Sequence, residues 1–202
     1  STSRGLGDVY KRQPYDQLKK IVYGGDYNPE QWDEATWEDD MRLFRLAHID
    51  TVTLNVFSWA MLQPDESTYD FTKLDRIMEL VKKNGLKVVL ATSTGAHPAW
   101  MARKYPDILR VEHNGMKRKF GARHNSCPNS PNYRKYSAAL VEKIAERYYE
   151  IPKDQRNGKC QITASSSFFI PKPFTPFQWA PMNTEEDFLK KASIVKAEVR
   201  AQ

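Results

Sequence analysis

A ten-residue stretch near the start of the chain combines the side chains that a sugar-binding site uses. The stretch, Tyr23-Gly-Gly-Asp-Tyr-Asn-Pro-Glu-Gln-Trp32, holds Asp26, Asn28 and Glu30 between aromatic residues. Carboxylate and amide groups form hydrogen bonds with hydroxyl groups, and aromatic rings offer a large apolar surface. The same residues also fit a plain connection between a strand and a helix, in which the two glycines turn the chain.

The two carboxylates in this stretch suggest general acid/base chemistry, which needs a pair of titratable groups held close together. Asp26 and Glu30 lie in the same predicted loop, but nothing in their spacing points to a working pair. We interpret Glu30 as an acceptor for a sugar hydroxyl or as a solvated side chain. Glu185, Glu186 and Asp187 follow Thr184 and have the pattern of a helix start, without catalytic content.

The elements that must position these residues alternate between strands and helices. An amphipathic pattern predicts a helix over residues 34–47, with Asp33 as its N-cap. Further helices are predicted around Leu74 to Val81 with Gly85 as C-cap, over 98–105, from Pro131 through Tyr148, and over 188–199. Strands are predicted at the apolar start before Tyr23, over 51–57, and over 86–91, the last covered on both faces.

This alternation indicates βαβ units and a parallel sheet. A doubly wound sheet and a (β/α)8 barrel both fit. Polar and aromatic residues follow each predicted strand, as in a barrel whose loops converge on one site, and no GxGxxG follows the first strand. A complete barrel needs about 250 residues. We therefore expect an α/β fold, an incomplete (β/α)8 TIM barrel of about three N-terminal β/α units, with an unassigned C-terminal tail.

Composition argues against several classes of function. The net charge is +6, but the excess is spread along the chain and forms no basic stripe, so nucleic acid is not an expected partner. Cys127 and Cys160 are too few and too far apart for a disulfide framework. No apolar run approaches the length of about 18 residues that a membrane span needs, so no membrane partner is expected. No signal-peptide pattern precedes the fold, which leaves the compartment open and favours the cytoplasm.

Five segments, in this order and spacing, resemble the N-terminal barrel region of the glycoside hydrolase family 42 β-galactosidases. The resemblance covers about residues 21–148. It implies a β-galactoside as substrate, no required cofactor, and a homotrimeric parent protein, since family members are often trimers. The segments are residues 23–32, Phe57-Ser-Trp-Ala60, Ala91-Thr-Ser-Thr94, Pro98-Ala-Trp100 and Phe120-Gly-Ala-Arg-His-Asn-Ser-Cys-Pro-Asn-Ser-Pro131.

The resemblance implies a retaining glycosidase, which uses two carboxyl groups about 5 Å apart as acid/base and nucleophile. In the family the acid/base is the Glu of an Asn-Glu pair, which is expected near Gln161 and Ile162 here. The resemblance stops at Tyr148, however, and no Asn-Glu dipeptide occurs in the chain. The nucleophile is expected beyond Gln202. We therefore assign no catalytic residue in this chain, and the alternative is a non-catalytic half-barrel that binds sugar weakly or is only a structural fragment.

The resemblance also assigns candidate binding residues. Arg123 matches the Arg that contacts galactose, and Glu30 and Trp59 are the other expected substrate contacts, although a Trp in such a position is more commonly packed in the core. Cys127 matches the first of four zinc-ligating cysteines in some family members, so a structural zinc is possible in the parent protein, although a free Cys127 is expected in this chain. His124 is expected to be either a metal ligand or a hydrogen-bonding residue at the rim, and Trp100 either stacks on a sugar face or, as is commoner for Trp, packs in the core.

The chain is expected to consist of three parts. Residues 1–13 look like the in-frame translation of a sequencing-library adapter, the alternative being a disordered basic arm. Residues 14–149 are the expected partial TIM-barrel domain. Residues 150–202 resemble nothing recognisable, and we expect a frameshifted or chimeric tail, the alternative being a genuine divergent insertion.

Overall fold

The computed structural model describes residues 21–121, 125–156, 160 and 170–201. The chain divides into two units, Ser1–Ile151 and Pro152–Gln202. The expected adapter segment, residues 1–13, lies outside the described residues, and so does the position expected for the catalytic Asn-Glu pair.

Three short parallel strands form a sheet in the first unit. They are β1 (Gly24–Asp26), β2 (Thr51–Leu54) and β3 (Lys87–Leu90), in the order β1-β2-β3. Asp26 pairs with Thr53, and Thr53 pairs with Val89. Because each strand is separated from the next by helical segments and runs parallel to it, the architecture of this unit is α/β.

Helices surround and follow the sheet. Those of the first unit are α1 (Glu34–Leu46), α2 (Trp59–Leu62), α3 (Thr72–Lys83), α4 (Ala99–Lys104) and α5 (Pro131–Glu150), with 3₁₀ turns at Pro29–Gln31 and Pro106–Ile108. The second unit contains α6 (Glu185–Ala201). Among the residues that the structure describes, no helix is both long enough and apolar enough to cross a membrane.

One hydrophobic cluster joins a single face of the sheet to two helices. Val52 and Leu54 of β2 are buried because alternate side chains of a strand point to the same face. They pack with Trp37 and Met41 of α1 and with Ile77 and Val81 of α3. A second cluster lies among α2, α4 and α5 and includes Trp59, Met101, Tyr136 and Leu140. The apolar periodicity of α1, α3 and α5 therefore matches the residues that they bury.

The strands differ from the sequence-based expectations in three ways. Gly24 and Gly25 lie within β1 and do not turn the chain. β2 ends at Leu54, since Asn55 adopts a left-handed conformation with φ of 67°. The expectation that the third strand is covered on both faces is wrong, because Val89 is 57% exposed and Leu90 is 38% exposed.

The helix boundaries and caps agree more closely with expectation. Gly85 has φ of 70°, and its N–H donates to Lys82 while that of Leu86 donates to Val81, as in a glycine-terminated helix. Pro131 begins α5 after the N-cap Ser130. Thr184 and Asp187 exchange reciprocal bonds at the start of α6, which confirms the predicted capping arrangement. The short α2 is an element that no sequence pattern predicts.

Candidate functional site

The loops that follow the three strands leave the sheet from the same edge. This follows from the parallel strand directions, since the carboxyl ends of parallel strands lie together. The first loop carries Glu30, the second Asn55 and Ser58, and the third Ser93. The quoted motifs after β1, β2 and β3 are therefore brought to one place by the fold itself.

A chain of hydrogen bonds connects these loops. Ser58 Oγ donates to Glu30 Oε1 at 2.8 Å, so the second loop holds the carboxylate of the first. The backbone N–H of Ser58 donates to Ser93 Oγ at 3.2 Å, and Ser93 Oγ in turn donates to the Asn55 carbonyl. Both serines are buried, at 3% and 2% exposure. Glu30 is consequently held in a fixed position while remaining partly open to solvent.

Two residues at this edge have an unusual backbone conformation. Asn55 and Ser93 have φ of 67° and 60°. Asparagine enters this left-handed region more readily than most residues with a Cβ, whereas for Ser93 the conformation costs about 1–2 kcal/mol. Asn55 Nδ2 donates to the Ala91 carbonyl at 2.9 Å, whereas its buried Oδ1 has no hydrogen-bond partner among the described residues. Strained residues and unpaired buried polar atoms gather at functional sites more often than elsewhere.

An open cleft of about 350 Å³ lies at the same edge. Asp26 lines it at the end of β1, Val56 and Phe57 line it after β2, and residues 91–95 line it after β3. The exposed Asp26 carboxylate, the Thr92 and Thr94 hydroxyls and the apolar side chains provide hydrogen-bonding groups beside an apolar surface. Such a mixture can bind a polyhydroxylated ligand.

Side chains of α1 and α3 form hydrogen bonds with the first loop and hold its backbone in place. The buried Tyr27 hydroxyl donates to Asp40 Oδ2 at 2.8 Å, and burial together with this carboxylate raises the pKa of Tyr27. Trp37 Nε1 donates to the Pro29 carbonyl at 2.8 Å. Lys73 Nζ donates to the Glu30 carbonyl at 2.9 Å. Since α1 and α3 provide these three donors or acceptors, both helices take part in positioning Glu30.

Trp59 does not lie at the cleft. Its side chain is fully buried in the α2, α4 and α5 cluster, and its Nε1 donates to Gln63 Oε1 at 2.8 Å. A buried indole with its single N–H already bonded has no surface to offer a sugar ring. The expected substrate contact of Trp59 is thereby corrected to a core role. The indole N–H of Trp100 also has a partner within the protein, because Nε1 donates to the Gln63 carbonyl at 2.9 Å.

The segment that carries Arg123 is described only at its two ends. Arg123 and His124 lie outside the described residues. Asn125 Nδ2 donates to the Lys119 carbonyl at 2.8 Å, so described residues on the two sides of this gap contact each other. His97 contacts both flanks, with its ring 6.1 Å from that of Phe120 and its Nδ1 2.6 Å from Ser126 Oγ. Burial lowers the pKa of His97, so the ring is neutral near pH 7.

Cys127 has a free, half-buried thiol, and its N–H donates to the Ile108 carbonyl at 2.7 Å. Within the described ranges no three His, Cys, Asp or Glu residues come close enough together to hold a metal ion. A structural zinc needs four ligands in a tetrahedron, so these described residues alone do not fit one. Cys160 is the other cysteine of the chain, and its thiol is also free.

Sequence reasoning did not single out Asn55, Ser58, Ser93 or His97. The two serines stand inside quoted motifs, yet a serine hydroxyl gives no signal of its partner. Asn is one of the few residues that enter the left-handed region readily, and its place directly after an apolar run was the available clue to Asn55. His97 precedes a proline in a predicted loop, where nothing in the sequence reveals burial.

The sequence profile of glycoside hydrolase family 42, described as beta-galactosidase, matches residues 26–153, which is more than half of the chain. The chain belongs to glycoside hydrolase family 42. β-Galactosidase BgaA of Planococcus sp. (strain 'SOS Orange') is 62% identical to this family 42 chain over 138 residues. β-Galactosidase LacZ of Heyndrickxia coagulans is 54% identical over 134 residues. These matches cover 68% and 66% of the chain, but 20% of each relative.

Solved structures give the same result. A β-galactosidase from Bacillus circulans sp. alkalophilus matches with a TM-score of 0.65 and 64% identity, over 68% of this chain and 20% of that one. The β-galactosidase from the haloarchaeon Halorubrum lacusprofundi matches with a TM-score of 0.60 and 36% identity, over 65% and 20%. This family 42 chain thus spans about a fifth of the length of the relatives that it matches.

Proposed function

We propose that the chain forms the first three β/α units of the (β/α)8 barrel of a retaining β-galactosidase, which hydrolyses terminal β-D-galactosyl residues. The barrel region is residues 14–149 in this proposal. Two observations support it: each strand pairs in parallel with the next strand in sequence, and polar loops leave from the carboxyl edge. The observation that carries most weight is the hydrogen-bonded connection Glu30–Ser58–Ser93, because it joins three family motifs at one edge.

In this proposal Glu30 and Arg123 bind the sugar. The Glu30 carboxylate accepts from Ser58 with one oxygen, which leaves its remaining acceptor capacity for a substrate hydroxyl. The Arg123 guanidinium offers a planar set of donors suited to a pair of hydroxyls. The described residues assign Trp59 to the core, so it is not part of the proposed contacts.

The chemistry that the longer protein would perform needs two carboxyl groups, one protonating the glycosidic oxygen and one attacking the anomeric carbon. By resemblance, neither is among the residues of this chain. The proposed role of the chain is therefore to supply one wall of the sugar site and not the bond-breaking groups. The second candidate, a half-barrel that binds sugar without catalysis, is favoured by the same missing Asn-Glu pair.

A direct assay separates catalytic from non-catalytic forms of this proposal. We expect the purified 202-residue chain to hydrolyse a chromogenic β-galactoside no faster than buffer does. Clear turnover that survives repeated purification, and that disappears on substituting Asp26 or Glu30, would contradict the claim that the catalytic carboxylates lie elsewhere.

A covalent chimera tests the β-galactosidase origin. Residues 26–153 of this chain would replace the matching segment of Planococcus BgaA. Because 62% of aligned residues are identical, we expect a folded enzyme with kcat/KM within about tenfold of the parent, a barrier difference of about 1.4 kcal/mol. A folded chimera without activity would overturn the proposal.

The same chimera tests Glu30. Replacing a charged acceptor by an amide weakens a substrate hydrogen bond by about 1.5–3 kcal/mol, so Glu30→Gln should raise KM or lower kcat/KM at least about tenfold. Glu79→Gln is the control, since it makes the same chemical change at an exposed position on α3. Equal kinetics for the two variants would remove Glu30 from the proposed site.

Three further features complete the proposal for the longer protein. A structural zinc would use Cys127 and needs three more ligands from outside the described residues. Assembly as a homotrimer is proposed from the family resemblance. Residues 1–13 and 150–202 are proposed to lie outside the barrel region.

A further inference from the structure

Asn-Gly pairs occur at three positions of the chain, Asn84-Gly85, Asn114-Gly115 and Asn157-Gly158. In such a pair the backbone nitrogen of the glycine can attack the side-chain amide of the asparagine, because glycine carries no Cβ to hinder the approach. The third pair lies outside the described residues. The first two pairs also share a left-handed glycine, with φ of 70° in the first and 80° in the second, so the two sites differ chiefly in their hydrogen bonds.

Both ends of the Asn84 side-chain amide are held by hydrogen bonds. The residue follows α3 as its C-cap and is half-buried. Its Nδ2 donates to the Leu80 carbonyl at 2.9 Å, and its Oδ1 accepts from Arg45 Nη1 of α1 at 2.6 Å. The N–H of Gly85 donates to the Lys82 carbonyl at 3.0 Å. A rotation that brings the side-chain amide to the Gly85 nitrogen would therefore break two side-chain bonds and disturb the helix end.

Asn114 lies at the exposed tip of a short hairpin, residues 111–117. The N–H of Gly115 donates to the Glu112 carbonyl at 2.9 Å and closes the turn. Asn114 Oδ1 accepts from the N–H of Met116 at 3.0 Å, whereas no described residue bonds its Nδ2. Since an exposed turn opens at low cost in free energy, the Gly115 nitrogen becomes available for attack while the rest of the chain stays folded.

The Met116 N–H is placed to assist this attack. When the Gly115 nitrogen adds to Cγ of Asn114, negative charge develops on Oδ1, and a donor that is already bonded to this atom stabilises the charge. We propose that Asn114 is a site of spontaneous deamidation in the folded chain, and that the hydrogen bonds of Asn84 protect the matching pair on α3. The inference does not depend on the proposed function.

The reaction consumes water and needs no oxidant, reductant or cofactor. The Gly115 N–H gives its proton to a base in the solvent, and the nitrogen forms a bond to Cγ of Asn114. The bond from Cγ to Nδ2 then breaks, and ammonia leaves with a proton taken from water. The product is a cyclic succinimide, and water adds to either of its carbonyl groups to give aspartate or isoaspartate. A neutral amide thereby becomes a carboxylate.

The full 202-residue chain allows both sites to be measured in one molecule. The chain is incubated at mildly alkaline pH, and circular dichroism checks that it stays folded. Peptide mapping by mass spectrometry follows the conversion of each amide to an acid. We expect Asn114 to react at least about tenfold faster than Asn84, because Asn84 must first break two side-chain hydrogen bonds. In concentrated urea the two sites should react at similar rates, since glycine follows both.

A matched pair of variants tests the protection of Asn84. Arg45→Leu removes the donor to Asn84 Oδ1, so it should speed the reaction at Asn84 at least about threefold and leave that at Asn114 unchanged. Arg42→Leu makes the same change on α1 at an arginine that bonds Asp39 instead, and should alter neither rate. Both arginines are exposed, so neither variant should unfold the chain.

The result that overturns the proposal is equal reaction of the two sites in the folded chain, or faster reaction at Asn84. A chain in which Asn114 reacts in urea but not in the folded state would also overturn it, because the hairpin would then protect the pair. If Arg45→Leu and Arg42→Leu gave the same rate at Asn84, the protection of Asn84 would not come from its bond to Arg45, and that part of the proposal would be wrong.

Discussion

At the residue scale, the backbones of β1 and β2 lie so close together at Gly24 that no side chain fits between them. A Cβ at this position would lie 1.7 Å from the Thr51 carbonyl oxygen of β2, and that atom belongs to the backbone. The strands can accept a side chain only by moving apart, which lengthens the hydrogen bonds between them. Gly24→Ala should therefore lower the free energy of unfolding by about 3 kcal/mol.

Gly25→Ala is the control for this prediction. A Cβ at Gly25 meets no atom within 4 Å, although the residue stands next to Gly24 in the same strand. We expect its free energy of unfolding to stay within about 1 kcal/mol of the wild-type value, with a small gain from the less flexible unfolded chain. Urea denaturation of both variants measures the difference, and equal losses would contradict the strand contact.

His97 allows a prediction about pH. Burial lowers the pKa of His97 from its ordinary value of 6.5, so the unfolded chain binds this proton more readily than the folded chain. Stability from this residue is complete above pH 6.5 and falls as the pH is lowered through the pKa of the folded state.

His97→Gln retains a group that can bond Ser126 but cannot titrate. Its free energy of unfolding should decline less between pH 7 and pH 5 than that of the wild type, as denaturation at each pH measures, and parallel curves would contradict the burial argument.

Residue types predicted the site only in part. The carboxylate of Glu30 indicates a hydrogen-bond acceptor. The hydrogen bond that it accepts from Ser58 is visible only in the structure, because no rule of sequence spacing predicts this pair. Trp59 shows the opposite case, because an indole signals both ring stacking and core packing, and only the position of Gln63 decides between them. Long-range partners therefore account for what the sequence could not reveal at this scale.

At the element scale, two helices end in the same way with different residues. His48 follows α1 and Gly85 follows α3, with φ of 55° and 70°, and the residues after them complete the same pattern of closing hydrogen bonds. A left-handed conformation costs a residue with a Cβ about 1–2 kcal/mol, whereas glycine adopts it readily.

Exchanging the residue type at these two caps should change stability in opposite directions. We expect His48→Gly to raise the free energy of unfolding by about 1 kcal/mol and Gly85→Ala to lower it by at least about as much. Thermal or urea unfolding of the two variants provides the measurement. Changes of the same sign would mean that the left-handed backbone conformation does not determine how much these helix ends contribute to stability.

Glu66 links α4 and α5 through one carboxylate. It accepts hydrogen bonds from Lys104, Tyr105 and Tyr136, and these bonds lower the pKa of Glu66 from 4.5 to about 2, with that to Lys104 contributing most. A lowered pKa in the folded state means that this stabilisation is complete above pH 4.5 and is lost as the pH falls towards 2.

Glu66→Gln removes the charge and keeps the size. The variant should be less stable than the wild type at pH 6, and the difference should shrink between pH 4.5 and pH 2 as the wild-type carboxylate takes up its proton. Equilibrium denaturation across this range measures both proteins. A difference that stays constant with pH would show that the carboxylate charge contributes nothing to the link.

Periodicity predicted the helices better than the strands. Apolar spacing located α1, α3 and α5 because each helix buries one stripe, and Gly85 and Pro131 marked their ends. The sequence overestimates the length of β2, since the apolar Val56 and Phe57 continue the pattern while the backbone turns at Asn55. A continuous apolar run also suggested that β3 is covered on both faces, although one face lacks a covering layer in the described chain.

At the scale of the whole molecule, the sequence carries information about a larger structure than the described residues form. Val89 and Leu90 have the residue types of a strand inside a complete sheet, yet both are exposed. The apolar run predicted their environment in the proposed barrel and not their environment here. The residue types of a segment reflect the structure in which the segment evolved. The exposure of its side chains, in contrast, depends on the residues that surround it in the described structure.

Hydrogen exchange tests this view along a single strand. The N–H groups of Lys87 and Ala91 donate towards β2, at 2.9 Å to Asp50 and 3.0 Å to Leu54, so those of Val88 and Leu90 point away from β2, where no other described strand pairs with β3. In the chain alone, Ala91 should exchange at least about 100-fold more slowly than Leu90, because its hydrogen bond must open first. Two-dimensional NMR after transfer to D₂O measures each amide. Equal protection of Leu90 and Ala91 would mean that another strand already covers β3.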